Sequence, residues 1–572
     1  MTDARGANAP INAGGALLMR LKVLGVDYLF ANSGSDFPPL IEAIAQAAEQ
    51  GLAMPEPVIA PHENAAMGMA HGYYLATGRP QAVMVHTNVG LANAAIGAIN
   101  AACDHVPVVL CSGRTPVTEH GRLGARGHPI SWGQEMRDQA ALVRECVKWD
   151  FELRFPEQVA ELADRAVAIA MSLPRGPVYM SLPREVLCAT CPAEALANPP
   201  HLAPAIPAPR AGDVARAAEL LAGAARPLVI AQRGPGSVQG FATLARLAEA
   251  WALPVVQFWP THLSLSWDHP MHAGFDPAPW LADADAVLVI DALTPWLPSE
   301  CALPADCPVV QVGQDPLFSR FPVRGFRADL ALTGEVPDVL AALEAALAPA
   351  LAGAGARIAA RREDIVARNR AAAAKRDATA KAGAGRPMTK AWASRCVAEA
   401  VEAHDGIALS ELGCEPPFMR LTRPGSLLLE PHSGGLGWGF PAALGLCLAD
   451  RDRLVVASVG DGAYMFANPV ACHQIAESLA LPALVVILNN ASWNAVRRGT
   501  LEVYPSGFAA RANRMPLIAL QPSPDFVKIA EASRGWARRV DDGAELPAAL
   551  AEAIEVVRTE RRQALLDVQV AA

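Results

Sequence analysis

The sequence predicts an α/β protein built from three doubly wound, parallel-sheet domains, and three observations carry that prediction. Short, uninterrupted apolar runs alternate with Ala/Leu-rich stretches of helical length in three successive blocks, the pattern of strands covered on both faces by crossover helices. A Pro-rich segment and an Ala/Arg-rich segment separate the blocks and read as linkers. The chain has 572 residues, too many for one core, since single cores seldom grow beyond roughly 250 to 300 residues.

The first block spans 1–187, with strands expected at 27–31, 82–86, 106–111 and 178–181 and helices between them. Residues 191–210 then read as an extended linker. The second block, 211–345, repeats the grammar with strands at 227–231, 254–258, 286–290 and 308–312. Residues 346–382 read as helix plus linker, ending at Gly383-Ala384-Gly385. The third block, 387–572, holds strands at 406–410, 454–459 and 483–488. No short-period repeat is visible.

Composition excludes several function classes. A hydrophobic fraction of 52% with 18% charged residues is that of a compact globular chain. A formal net charge of −9 and the lack of any Lys/Arg-rich stripe argue against nucleic acid as a partner. The opening segment MTDARGANAPINAGGALL has no basic stretch leading into an apolar one, so no secretory signal is read and a cytoplasmic location is expected. Two uncharged stretches, 431–449 and 478–496, are broken by Gly, Pro, Asn and Ser, and no membrane span is expected. Eleven Cys, without framework spacing, fit reduced thiols. The one CxxC, Cys188 to Cys191, lies in CATCPAEALANPP and reads as linker.

The chemistry concentrates in the third block. Gly460-Asp461-Gly462 directly follows the apolar run LVVASV, and Asn489-Asn490 directly follows ALVVIL, with 26 residues between the two motifs. Both polar groups therefore fall at carboxyl ends of parallel strands, where open α/β sheets bind ligands. A hard cation such as Mg²⁺ takes one or two protein oxygens plus phosphate and water. Asp461 and the Asn490 amide oxygen supply such a set, and Gly462 lets the chain approach a diphosphate closely.

With those residues in view, GDGAYMFANPVACHQIAESLALPALVVILNN resembles the thiamine-diphosphate signature of the pyruvate oxidase and decarboxylase superfamily. SGGLGWGFPAALGLCLADRDRLVVASV is similar to the Gly-rich approach to that signature. The resemblance implies that Asp461 and Asn490 ligate Mg²⁺ through side chains and Ser492 through its carbonyl, and that Gly460, Gly462 and Ala463 line the cofactor. It implies that Leu436 props the cofactor in its bent form and that the Gly434 carbonyl accepts from the aminopyrimidine. PHENAAMGMAHGYYLATGRP is similar to the family segment whose glutamate, here Glu63, hydrogen-bonds N1′ of that ring. A metalloprotease HExxH is excluded there, because Ala66 stands where the second His belongs.

Within the superfamily, ANSGSDFPPL and VMVHTNVGLANAAIGAI resemble the substrate loop and active-site strand end of benzoylformate decarboxylase. That resemblance implies substrate-binding Ser35 and a catalytic His86. The chain departs from the pattern in three places. VLVIDALTPWLPS lacks that enzyme's second active-site histidine, the tandem His pair of pyruvate decarboxylase is also missing, with Asn88 and Val89 there instead, and Ser410 to Cys414 lack some hydroxyls of the benzoylformate enzyme's diphosphate loop. Acetolactate synthase large subunit is the runner-up resemblance, on NAACDHVPVVLCSGRTP. His432, Trp493, Arg497 and Arg498 are further residues near the motifs, and His105 is read as surface.

The expected activity is therefore lysis or formation of a carbon–carbon bond on a 2-oxo acid, non-oxidative and decarboxylating, with an acetolactate-synthase-like carboligase or a flavin-containing pyruvate-oxidase-like oxidoreductase as alternatives. Gly234-Pro235-Gly236-Ser237 follows a strand, yet no GxGxxG is present, so FAD is not expected. The family logic implies a homodimer or homotetramer with its sites at the subunit interface.

Overall fold

The computed structural model describes residues 10–512 and 515–571. Among these, seventeen strands form three sheets in which every pairing is parallel. By compactness the chain divides into two units. One holds the chain up to Ala205 together with Pro431–Arg451 and Phe466–Leu481. The other holds Ile206–Glu430, Asp452–Met465 and the chain from Pro482 onward.

The first unit is built on β1 (Tyr28–Asn32), β2 (Glu56–Ile59), β3 (Gln81–Val85), β4 (Val108–Arg114), β5 (Asp150–Glu152) and β6 (Val178–Pro183), in the order β2-β1-β3-β4-β6-β5. β3 and β6 are buried along their whole length, which is why they read as apolar runs rather than as alternation. Helix Ala13–Val23 is joined to helix Val159–Met171 by a buried bidentate pair, Arg20 to Asp164, at 2.6 and 2.7 Å.

Helix Glu63–Thr77 crosses helix Gly439–Ala449 so closely that glycine is required on both sides. A Cβ at Gly72 would lie 1.9 Å from the Ala442 carbonyl oxygen, and one at Gly445 would lie 2.2 Å from that of Met69. The obstacles are backbone atoms, which cannot rotate away. Gly72→Ala is therefore expected to cost about 3 kcal/mol, the upper end for overpacking. Urea denaturation checks it, and an unchanged midpoint would mean that the helices have room to spare.

The second unit carries two sheets. β7 (Pro227–Ala231), β8 (Val255–Val256), β9 (Ala286–Ile290), β10 (Val309–Gly313) and β11 (Leu330–Thr333) are ordered β11-β10-β9-β7-β8. Successive residues alternate between two cores: Val229, Ala231, Leu288 and Ile290 enter one, while Leu228, Ile230, Val287 and Val289 enter the other. The sheet is thus covered on both faces. The remaining strands are β12 (Ile407–Glu411), β13 (Leu427–Leu429), β14 (Val455–Gly460), β15 (Ala483–Asn489), β16 (Trp536–Val540) and β17 (Ala564–Gln569), ordered β13-β12-β14-β15-β17-β16. This is the strand order of the first sheet over again.

The segment 346–382 is helical for most of its length, ending in helix Gly355–Ala382. Among the described residues one helical stretch, Val336–Gly353, is long and apolar enough to cross a membrane, and its Val336, Val339, Leu340, Leu343 and Leu347 belong to a core cluster of the second unit. Two readings are corrected. His105 is 5% exposed rather than surface, because the turn at Asp104 tucks inward toward His71, with Nε2 and Oδ2 3.3 Å apart. Cys191 is a free thiol packed in the first unit's core and is not linker.

Candidate active site

A doubly wound sheet opens a crevice where consecutive connections leave a strand in opposite directions. In the first sheet that point lies between β1 and β3, and the predicted residues gather at its carboxyl ends. Glu63 opens its helix after β2, with His62 as N-cap, and is 6% exposed. Its Oε1 accepts from the Asn32 amide at 2.9 Å and its Oε2 from Asn93 at 3.0 Å. Both oxygens are thereby fixed. A Cβ on Gly90 would come within 3.1 Å of Oε1, so the adjoining helix also leaves room for the carboxylate.

His86 caps helix Thr87–Cys103 at the end of β3. Its Nδ1 lies 2.5 Å from Asp36 Oδ1, and its Nε2 lies 3.0 Å from the Gln134 amide nitrogen. The hydrogen bond to Asp36 pushes the imidazole pKa up, against the opposing effect of burial. Ser35, beside Asp36, is exposed; its carbonyl accepts from Arg184 at 2.8 Å. Asp36, Gln134, Asn32 and Asn93 were not singled out from the sequence. Asp36 stands next to the serine in the loop ANSGSDFPPL, but nothing local there marks it as a partner of His86.

Gly434 and Leu436 belong to the same unit. Gly434 has φ 69°, and Leu436 is half-buried. Asn100 donates to the Gly435 carbonyl at 2.8 Å and Asn64 to that of Gly437 at 3.4 Å. The helix that begins at Glu63 thus holds this Gly-rich turn one residue from its own start.

The second unit contains Gly460, Asp461, Gly462, Ala463, Asn490 and Ser492. The third sheet has its crevice between β12 and β14, and Asp461 follows β14 directly. It is 4% exposed. Oδ1 accepts from the Gly462 amide at 3.0 Å, whereas Oδ2 is buried with no hydrogen-bond partner. Burial pushes the Asp461 carboxyl up, opposed by the amides of Gly462, Ser492 and Ala491 and by the charge of Lys390. The turn after β15 therefore converges on Asp461. In that turn Asn490 Oδ1 accepts from Ser492 N at 3.1 Å, and the Asn494 side-chain oxygen is buried without a partner.

Asn489 does different work, tying β15 to β17 through Asp567 at 2.9 Å. Trp493 presses on Gly462, where a Cβ would lie 2.1 Å from the indole. No group of three or more His, Cys, Asp or Glu capable of holding a metal occurs among the described residues. One unpartnered carboxylate oxygen among amide and carbonyl oxygens is a donor set for a hard divalent ion that brings phosphate and water with it, so the residues present fit Mg²⁺ and a diphosphate.

At the crevice of the middle sheet, between β7 and β9, side chains of the chain itself meet. Arg233 pairs with Asp291 at 3.3 Å, and the guanidinium carbons of Arg233 and Arg324 lie 5.0 and 4.8 Å from the Phe318 ring centre. The Gly234 to Ser237 turn serves as an N-cap, Ser237 Oγ accepting from Gly240 N at 3.0 Å.

Three family models match in order: the N-terminal TPP binding domain of thiamine pyrophosphate enzymes over residues 11–142, the central domain over 214–343, and the C-terminal TPP binding domain over 412–568. The chain is 30% identical to the probable 2-ketoarginine decarboxylase AruI of Pseudomonas aeruginosa, covering 94% of this chain and 90% of that protein. It is 29% identical to benzoylformate decarboxylase of the same organism, over 84% and 86%. The crystal structure of benzoylformate decarboxylase from Polynucleobacter necessarius superposes with a TM-score of 0.78 at 19% identity, covering 98% of each chain. With three consecutive domain matches, an orphaned carboxylate oxygen at Asp461 and a clamped Glu63, the chain belongs to the thiamine pyrophosphate enzymes and depends on thiamine diphosphate with Mg²⁺.

Proposed function

We propose that this enzyme decarboxylates a 2-oxo acid without net oxidation, releasing the aldehyde. Bound thiamine diphosphate supplies a nucleophilic carbon and an electron sink next to the substrate carbonyl. The chain's own groups do the rest. Asp461, Asn490 and the Ser492 carbonyl would hold Mg²⁺, with Gly460, Gly462 and Ala463 against the diphosphate. Glu63 would share a proton with the aminopyrimidine, Gly434 would accept from it, and Leu436 would prop it. Ser35 would orient the substrate, and His86 would give the proton that replaces carbon dioxide on the substrate carbon. In this proposal 1–187 forms the pyrimidine domain, 211–345 the central domain and 387–572 the diphosphate domain. Assembly is a homodimer or homotetramer with the sites at the subunit interface, and the location is cytoplasmic.

The observation that carries decarboxylation over carboligation is the Asp36–His86 pair at the first crevice. Joining a second oxo acid requires that no proton arrive first, and a histidine whose proton affinity is raised by a carboxylate works against that. The Arg233–Asp291 pair and Phe318 in the middle crevice support a reading without flavin.

The test is a panel of pyruvate, benzoylformate, phenylpyruvate, branched 2-oxo acids and 2-ketoarginine, with thiamine diphosphate and Mg²⁺, scored for CO₂, aldehyde and acyloin. Aldehyde equal to CO₂ from a colourless preparation is the expected result. His86→Ala should slow aldehyde release about a hundredfold and raise the acyloin share. Acyloin as the main wild-type product would hand the function to the carboligase reading, and a bound yellow chromophore to the flavin reading.

A further inference from the structure

Accepting the role proposed for His86, we infer that Asp36 is its positioning residue, holding the imidazole as the Nδ1–H tautomer so that proton exchange with substrate runs through Nε2. The geometry leaves one assignment. A carboxylate has no proton to donate, so at 2.5 Å from Asp36 Oδ1 the ring must donate from Nδ1. In the neutral ring Nε2 then carries the lone pair, and the Gln134 amide N–H at 3.0 Å points at it. Gln134 thus covers the nitrogen that substrate would engage.

Asp36 is itself held as a fixed part. It is 3% exposed, and its Oδ2 accepts from the Thr87 amide at 3.3 Å. Two glycines on separate elements make room for the pair. A Cβ at Gly113, on β4, would sit 1.5 Å from Asp36 Oδ2, and one at Gly34 would sit 2.2 Å from the His86 ring. Neither glycine has a positive φ, so conformational freedom is not why they are there. The space they leave is occupied by the carboxylate and the imidazole.

The titratable groups facing His86 are Asp36, from the loop after β1, and Glu63, from the start of its helix. The segment carrying Gln134 presents a neutral amide. Both carboxylates favour the imidazolium, and Asp36 does so through a direct hydrogen bond. His86 is therefore loaded with a proton at Nε2, the Gln134 amide then turning its oxygen to it, until the pH rises through its elevated pKa, and it returns to the Nδ1–H form once that proton is given to the substrate carbon. Solvent restores the proton.

Asp36→Asn tests this, since Asn keeps the size and can still accept from Thr87 N while presenting no charge to the ring. Proton and ¹⁵N chemical shifts of histidine-labelled holoenzyme without substrate, with the His86 signal assigned by its loss in His86→Ala, give both tautomer and pKa. Above its pKa the wild type should show the neutral Nδ1–H form. The variant should show a His86 pKa lower by at least about one unit and the Nε2–H form when neutral. Its kcat should fall about 10²- to 10³-fold, with the alkaline loss of kcat moved to lower pH by the same shift.

If His86→Ala turns over normally, the role given to His86 fails and Asp36 is not at issue. If His86→Ala is slow while Asp36→Asn leaves tautomer and pKa in place, the inference about Asp36 is overturned. Should Asp36→Asn fail to fold, the wild-type spectrum above the His86 pKa still decides, because a neutral ring protonated at Nε2 there would contradict the arrangement.

Discussion

Glu63→Gln is expected to lower turnover about a thousandfold with the fold retained. The wild-type carboxylate receives one amide hydrogen on each oxygen, from Asn32 at 2.9 Å and Asn93 at 3.0 Å. Glutamine can satisfy only one of them, since its own NH₂ then faces the amide donor of the other. Asn93 is exposed and can turn to water, so the stability cost should be about 1 kcal/mol, that of a single neutral hydrogen bond. The chemical cost is larger, because the amide has no proton to share with the cofactor ring. Steady-state kcat, a thermal melt and the exchange rate of the cofactor's C2 proton separate the two effects. Turnover within tenfold of wild type would remove Glu63 from the reaction. A melting point many degrees lower would show that Glu63 matters mainly for folding.

That Glu63 and Asp461 could be picked out without a structure, while Asp36 and Gln134 could not, has a physical basis. The first two sit in strings whose spacing the chemistry imposes along the chain: PHEN opening a helix, and GDG and NN each ending a strand. Asp36 and Gln134 acquire meaning only from β1, β3 and the segment after β4 meeting in space, and no local pattern marks that meeting. The strands divide in the same way. Interior strands such as β7, β9 and β15 are buried throughout and so appear as apolar runs. Among the edge strands, β2, β5, β11 and β16 are paired on one side only, and sequences such as EPVI, DFE and WARRV carry no such run. β17 was hidden for another reason. It is interior, yet Asp567 interrupts it, a buried carboxyl whose pKa burial pushes up and which accepts from Asn489 at 2.9 Å.

Asp461→Asn is expected to stabilise the protein freed of metal and to abolish its response to Mg²⁺. Asp461 is almost fully buried, and its Oδ2 has no hydrogen-bond partner. An unpaired buried carboxylate is a standing cost, which the charge of Lys390 and the nearby amides relieve only in part, since the carboxyl pKa is still pushed up. Asparagine keeps the acceptor for the Gly462 amide and removes the charge, so melts in EDTA should place the variant about 1 to 2 kcal/mol above wild type. Adding Mg²⁺ and thiamine diphosphate should reverse the order. A ligand at a hundred times its Kd stabilises the wild type by about 2.7 kcal/mol, whereas the variant offers the cation a neutral amide in place of the one carboxylate among these oxygens and should gain almost nothing. The reversal matters more than either melt alone, because a residue serving only the fold would lose stability under both conditions. Equal ligand-induced shifts in the two proteins would mean that the cation is held elsewhere, and the assignment of Asp461, Asn490 and Ser492 as its ligands would have to be abandoned.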